Sequence, residues 1–161
     1  MSLATLMLEQ LAVARRIIED GEEVVPAWRI TTPEGAFIIF TSFDADKPEQ
    51  REHAAVLISR FMAWKMATSF VLTAEKWLGA DGEDALLIIG VSLHERLAVV
   101  QRIKRGDDVR FSQPMWLAQH HVDDRYVAML PQGEAEITAE EEVVLKRIFG
   151  KDGELPATRV N

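Results

Sequence analysis

The sequence predicts an α+β protein in which a sheet of about five antiparallel or mixed strands packs against three or four helices. Two patterns lead to this prediction. Apolar residues recur at helical spacing in several segments, and short apolar runs bounded by turn residues lie between these segments. The chain has 161 residues, a length that suits a single domain. We place this domain at residues 1–150 and expect residues 151–161 to form a flexible C-terminal tail.

The first helix is predicted from an apolar stripe that runs from Leu3 to Ile18 at spacings of three and four residues. Ser2 is the expected N-cap, since a serine hydroxyl can accept a hydrogen bond from a backbone N–H of the first turn. Gly21 is the expected stop, because glycine readily adopts the left-handed conformation that ends many helices.

A β-hairpin is predicted next, from the apolar segments 24–32 and 36–43. Residues 33–35, Pro-Glu-Gly, supply its turn, because proline fixes its φ angle and glycine permits a positive one. Pro26 has no backbone N–H to donate to a neighbouring strand. The first strand is therefore expected to lie at a sheet edge, or to carry a bulge, at this proline.

The second helix has the clearest start and the broadest apolar face. Asp46 is the expected N-cap, and Pro48 suits the first turn, where a missing N–H leaves no helical hydrogen bond unmade. Apolar side chains then continue from Ala54 to about Ala67.

Two strands are predicted after this helix. Residues 69–78 are rich in strand-forming residues at least to Thr73, and residues 85–93 are apolar on both faces. Apolar side chains on both faces are typical of a central strand that is covered on both sides.

Residues 93–105 fit either a helix or a strand. A capping box and an apolar stripe favour the helix, whereas the adjacent β-branched residues Val99 and Val100 favour the strand. We favour a strand that pairs with residues 109–119 across a turn at 106–108, because such a meander needs no long crossover.

The last helix is predicted from Thr138 and Glu141, which match a capping box. Gly150 is its expected stop. Its buried side is expected to comprise Val144, Leu145, Ile148 and Phe149.

Composition excludes several classes of function. The chain has no cysteine, which excludes disulfides, thiolate metal ligands and cysteine nucleophiles and fits a reducing cytoplasm. Its net charge of −8 would repel a phosphate backbone, so nucleic acid is not an expected partner. No apolar stretch approaches the ~20 residues of a membrane span, and the first residues lack the pattern of a signal peptide. We therefore expect a soluble, cytoplasmic protein without a membrane partner.

Residues 119–125, Gln-His-His-Val-Asp-Asp-Arg, form the candidate metal site. Imidazole nitrogens and carboxylate oxygens are good ligands for divalent metals, and His120, His121 and Asp123 supply them. If a strand runs through this segment, the two histidines point to opposite faces and only His121 shares a face with Asp123. A further ligand would come from elsewhere, with His94, Asp107 and Asp108 the natural suppliers. No fixed-spacing metal motif is present, so a polar loop explains the same residues.

Ser92 is a candidate nucleophile. It follows an apolar strand in the order Gly90-x-Ser92-x-His94, and the aspartates at 107 and 108 and the later histidines complete the chain order of a hydrolase triad. The chain has too few βαβ units for such a fold, and a helix cap or a turn explains the same serine. We therefore assign no catalytic residue.

Five large side chains are candidates for a subunit contact or a ligand pocket. Trp28, Trp77 and Trp116 lie near the ends or edges of predicted strands, where exposed aromatic residues often form interfaces. Met62 and Met66 lie off the main apolar stripe of the second helix and would need to be covered.

Two functions are compatible with these observations. We favour a small non-catalytic binding or interaction protein without a cofactor, which self-associates and has a protein partner of unknown kind. The alternative is a small hydrolase in which a divalent metal ion at residues 120–124 activates a water molecule.

Overall fold

The computed structural model describes residues 1–42, 47–77, 83–133 and 136–160, with the backbone alone for Trp77. Within these ranges the chain forms an eight-stranded antiparallel sheet with helices on both faces. None of the described helices has both the length and the apolar character needed to cross a bilayer. The strands are β1 (Ala27–Thr32), β2 (Gly35–Phe40), β3 (Ser69–Trp77), β4 (Asp84–Ser92), β5 (Arg96–Lys104), β6 (Arg110–Phe111), β7 (Met115–Leu117) and β8 (Ala157–Val160). The helices are α1 (Leu3–Glu19), α2 (Pro48–Trp64), α3 (Asp124–Val127) and α4 (Ala139–Ile148), with a 3-10 turn at Gln119–His121.

The predicted α+β class is confirmed, but the described sheet has eight strands where about five were expected. The segment predicted as one return strand contains two short strands, β6 and β7, which both pair with β5. Pro114 lies between them and cannot donate to a ladder, which explains the interruption. β8 is a further additional strand, and it lies within the residues that were expected to form a tail.

The strand order corrects the expectation for Pro26. The strands lie in the order β6-β5-β4-β3-β1-β2-β8, so β1 is an interior strand and not an edge. It begins at Ala27, one residue after the proline, and no ladder position therefore needs a donor from Pro26. The Pro26 carbonyl instead accepts from the N–H of Thr41 at 2.9 Å. The predicted hairpin of β1 and β2, with its turn before Gly35, is confirmed.

Both predicted helices of the first half are present. α1 begins after Ser2, whose hydroxyl accepts a backbone N–H of the first turn at 3.1 Å, and the chain leaves the helix through Gly21 at a φ of +80°. α2 begins at Pro48, as predicted. Its N-cap position is Lys47, and the predicted cap Asp46 lies outside the described residues.

The ambiguous segment 93–105 contains a strand, as we favoured. β5 pairs with β4 on one side and with β6 and β7 on the other. β4 is buried on both faces, which confirms the prediction of a central strand at residues 85–93.

The core consists of two layers, one on each face of the sheet. α1 packs on β3 and β4 and covers one cluster of buried side chains: Leu3, Leu6, Met7, Leu11, Ala14, Ile18, Val24, Val71, Leu86, Ile88, Val99 and Ile103. A larger cluster lies on the opposite face beneath α2, α3 and α4 and includes Ile30, Phe37, Ile58, Phe61, Phe70, Leu145 and Phe149. Alternate residues of β3, β4 and β5 therefore contribute to different clusters.

α4 confirms the predicted cap and corrects the predicted buried side. The Thr138 hydroxyl accepts from the N–H of Glu141 at 3.1 Å, whereas the Glu141 carboxylate accepts from Arg60 Nε at 2.6 Å and so ties α4 to α2. Leu145 is buried, but Val144 was predicted to be buried and is exposed. Val144 lies ~100° from Leu145 around the helix, beyond the stripe that faces the core.

The predicted tail contributes a strand to the sheet. β8 pairs antiparallel with β2, and the N–H of Ala157 donates to the Phe149 carbonyl at 3.0 Å. Leu155 is buried in the same turn. A four-residue strand is too short for alternation of apolar and polar residues to be recognised in the sequence, so the position of the segment after the last helix predicted a tail.

We expect Gly153→Ala to lower the free energy of unfolding by about 1–3 kcal/mol. A Cβ atom at this position would overlap the carbonyl oxygens of Arg147 and Ile148, which are backbone atoms and cannot rotate away as a side chain could. Urea denaturation measures the change. Gly133→Ala is the matched control, because a Cβ there meets nothing within 4 Å. Equal effects of the two substitutions would contradict this explanation.

Candidate functional site

The predicted metal ligands lie on the surface, in a local structure that differs from the expected strand. Residues 119–121 form a 3-10 turn, so His120 and His121 lie side by side with ring centroids 4.2 Å apart and do not point to opposite faces. Both histidines are exposed. The Asp123 carboxylate caps α3 and accepts from the N–H of Arg125 at 3.0 Å.

His94 lies close to this segment, although beside Asp124 and not Asp123. Both residues line a shallow depression of about 290 Å³. The Asp124 carboxylate is already paired with the guanidinium of Arg96, with 2.5 Å between Oδ1 and Nη1. Within the described ranges, no three His, Asp or Glu side chains are grouped closely enough to hold a metal ion. The metal site therefore stays a prediction.

Ser92 acts as a turn residue. Its hydroxyl oxygen accepts from the N–H of Glu95 at 3.1 Å and from that of His94 at 3.3 Å, and its own N–H donates to the Glu95 carbonyl at 2.8 Å. This turn joins β4 to β5, so a strand and not a helix follows the serine. The aspartates at 107 and 108 lie beyond the far end of β5, a strand ~30 Å long, and cannot form a triad with Ser92.

Trp28 and Met62, two of the five predicted contact residues, lie in the core of this chain. The Trp28 ring packs on Phe70, and its Nε1 donates to Thr41 Oγ1 at 3.3 Å. Met62 belongs to α2, and its side chain is fully buried in the core cluster beneath that helix. The expectation that these two side chains lie on a surface is wrong, because β1 is interior and α2 buries a wider face than its main stripe suggested.

Met66 and Trp116 are exposed, and the side chain of Trp77 lies outside the described residues. Met66 follows α2 on one side of the sheet. Trp116 pairs with Val99, which belongs to the cluster under α1, so the tryptophan points to the other side. The two exposed residues therefore do not form one surface.

A surface that we did not predict from the sequence lies beside α1. The register places Ile38 opposite Arg29 and Arg29 opposite Val71, and Val71 lies under α1. Alternate residues of β1, β2 and β8 thus face the side of α1, and the described part of the chain places no second helix there. We define the open half-face as these uncovered side chains: Ala27, Ala36, Ile38, Phe40, Thr158 and Val160.

The open half-face is apolar and only partly shielded from water. Phe40 is 57 % exposed, and Ile38 is half-buried but belongs to neither core cluster. An exposed aromatic side chain beside partly accessible apolar residues, next to a sheet edge, can mark a contact with another molecule.

A groove of about 690 Å³ adjoins this surface at the N-terminal end of α1. Leu3 and Leu6 of α1 form one side, and Arg29, Thr31 and Ser69 of the sheet lie on the other. The groove is on the face opposite α2, where aromatic and aliphatic side chains fill the space between helix and sheet. The volume lies within the range of small-molecule sites.

Comparisons with protein-family models, with curated proteins and with solved structures found no match for this chain. The open half-face and the groove are therefore the surfaces whose side chains indicate a function.

The sequence contained a signal for the open half-face. Residues 36–40, Ala-Phe-Ile-Ile-Phe, are apolar on both faces in the same way as residues 85–93. Such a strand needs cover on both sides, and its position away from α1 leaves one side open. The signal for the groove was weaker, since Arg29 is a single charged residue between Trp28 and Ile30.

Proposed function

We propose that the protein is a non-catalytic binding protein that self-associates through the open half-face. The observation that supports this proposal is the exposure of Phe40 beside Ile38, on a side of the sheet that α1 leaves uncovered. Burial of apolar surface is the main driving force of most protein association. A second copy of this chain is the occupant that we propose.

The shape of the open half-face suits self-contact. Phe40 and Ile38 are large, whereas Ala27, directly opposite Phe40 across the strands, and Ala36 are small. Raised and recessed positions thus alternate on one surface. In a twofold dimer the same patch meets itself, so each raised side chain can pack into the recess of the other copy. The six side chains of the open half-face are uncharged, and Arg29, directly opposite Ile38 on the same face, borders them.

The size of the open half-face implies a weak dimer. Three strands ~4.8 Å apart and ~20 Å long give a projected area of ~300 Å². Stable interfaces bury ~800 Å² on each partner. We therefore expect a dimer that dissociates on dilution, with a dissociation constant in the micromolar range or weaker.

Replacing Phe40 by serine is expected to weaken self-association at least ~10-fold, because the most exposed apolar side chain of the contact is lost. Sedimentation equilibrium of the full-length chain between ~10 μM and ~1 mM measures the change. Val56→Ser is the matched control, since Val56 is equally exposed, at 62 %, but lies on α2 across the sheet. Ile38→Thr, which preserves a β-branched strand residue, tests the same surface if the first variant folds poorly.

A wild-type chain that remains monomeric over this range would refute the proposal. A dimer that persists equally in Phe40→Ser and Ile38→Thr would place the contact elsewhere and refute it as well.

The metal-dependent hydrolase has less support. His120 and His121 lie together, but the nearby carboxylates of Asp123 and Asp124 are engaged with Arg125 and Arg96. A cytoplasmic location and a separate protein partner also stay predictions from composition.

A further inference from the structure

We propose that the groove beside α1 binds a small amphiphilic molecule through its carboxylate or phosphate group, with Arg29 as the anchor. This proposal concerns a ligand and does not depend on self-association. Three features of the groove support it: a guanidinium that has no hydrogen-bond acceptor among the described residues, a row of hydroxyl groups and an apolar wall.

Arg29 is the first feature. Its side chain is only 19 % exposed, and its Nε atom is buried without a partner among the described residues. Among the described residues, the carboxylate that pairs with it is that of Glu9, with 4.0 Å between Nη1 and Oε2, which is too far for a hydrogen bond. A guanidinium has five N–H donors, and buried donors are rarely left unpaired in native proteins. An oxyanion can accept two of these donors at once.

Hydroxyl groups line the floor next to Arg29. Thr31 lies two residues farther along β1 on the same face and is directly opposite Ser69 of β3, which in turn is opposite Ser92 of β4. Opposed residues on neighbouring strands have Cβ atoms ~5 Å apart. The Ser92 hydroxyl is engaged in its turn, whereas those of Thr31 and Ser69 form no hydrogen bond within the described part of the chain. Both can donate to an oxygen held by Arg29.

Met1 and Leu93, which are 85 % and 52 % exposed, give the groove an apolar wall beside these polar groups. An inorganic anion would leave this wall exposed to water, whereas a short alkyl chain would cover it. The N-terminal end of α1 adds partial positive charge on the same side. Glu9 and Glu95 act against an anion, so we expect modest affinity.

Hexanoate is the probe for this site. In an NMR titration of the full-length chain, we expect saturable shifts of the backbone amides of residues 29–31 and 69. Inorganic phosphate, which lacks an alkyl chain, and hexanol, which lacks the negative charge, are each expected to bind at least ~10-fold more weakly than hexanoate. A phosphorylated ligand is tested by hexyl phosphate, which should share the site and compete with hexanoate.

Arg29→Met keeps the length of the aliphatic side chain and removes the charge. We expect it to weaken hexanoate binding at least ~10-fold. Arg102→Gln is the control for loss of one positive charge, since Arg102 lies on the opposite face of the sheet and pairs with Glu83. Glu9→Gln removes the competing carboxylate and is expected to strengthen the binding of hexanoate. If the Arg29–Glu9 pair had only a structural role, this substitution would not strengthen binding. If Arg29→Met does not fold, Glu9→Gln and Thr31→Val supply the test.

Absence of saturable shifts with both hexanoate and hexyl phosphate would overturn the proposal, as would equal binding of hexanoate and hexanol. Equal binding by wild type and Arg29→Met would overturn it too. The titration is repeated in Phe40→Ser, which leaves Arg29 in place. Binding by that variant separates the ligand site from self-association, so either proposal can fail without the other.

Discussion

Replacing Phe61 by alanine is expected to lower the free energy of unfolding by about 3–5 kcal/mol, a large part of the stability of a domain this size. Phe61 is 1 % exposed and contacts aromatic rings from three directions. Its ring centroid lies 5.5 Å from that of Phe37 on the sheet, 5.9 Å from Trp64 on α2 and 4.7 Å from Phe149 after α4. The cavity left by the missing Phe61 ring would therefore lie between the sheet, α2 and the turn that leads to β8, and would remove contacts between them.

Urea denaturation monitored by circular dichroism measures this loss. Val56→Ala in the same helix is the control, since Val56 is exposed and its truncation should change stability by no more than ~0.5 kcal/mol. A decrease in the free energy of unfolding below ~1 kcal/mol for Phe61→Ala would show that the aromatic contacts of Phe61 do not hold α2 and α4 on the sheet.

Gly90→Ala is expected to destabilise the protein by about 1–3 kcal/mol, although alanine is otherwise the better strand residue. A Cβ atom at Gly90 would overlap the Met7 thioether, with Cγ of Met7 only 2.9 Å away and Cδ1 of Leu3 at 3.1 Å. Met7 is fully buried, so its side chain has little free space into which it can move. The close approach of α1 to β4 thus depends on the missing side chain.

A double-mutant cycle with Met7→Ala tests the cause of this effect. Met7→Ala removes the atoms that a Cβ at Gly90 would strike, so Gly90→Ala in that background should cost at least ~1 kcal/mol less than in the wild type. Additive effects of the two substitutions in urea denaturation would show that the destabilisation has another origin.

Local chemistry explains why much of the fold could be predicted. Ser2 and Thr138 form the expected caps because a hydroxyl satisfies a backbone N–H wherever the helix packs. Segment 93–105 was ambiguous because its helical and strand patterns have similar strength. The adjacent β-branched residues and a turn at 106–108 favoured the observed strand.

Tertiary placement explains the failures. Met62 is buried although it lies off the main apolar stripe, because α2 is covered over a wide face. Phe40 is exposed although its strand is apolar on both faces, because α1 lies over β3 and β4. Periodicity identifies which residues share a face but not which face receives a helix. The unpaired state of Arg29 depends on its distance from Glu9, which no spacing in the sequence reveals.

The pairing of β8 with β2 has a consequence for how the protein reaches its fold. Arg159 donates from Nη2 to the Glu34 carbonyl at 2.8 Å, across a separation of 125 residues. Pairings between distant residues form slowly, because a long loop must close before they are made. On the ribosome, the outer edge of β2 therefore stays unpaired until the last strand emerges, with Phe40 exposed beside it. We expect aggregation of the nascent chain to be most severe in that interval, when unpaired backbone groups and an aromatic side chain are available to neighbouring chains.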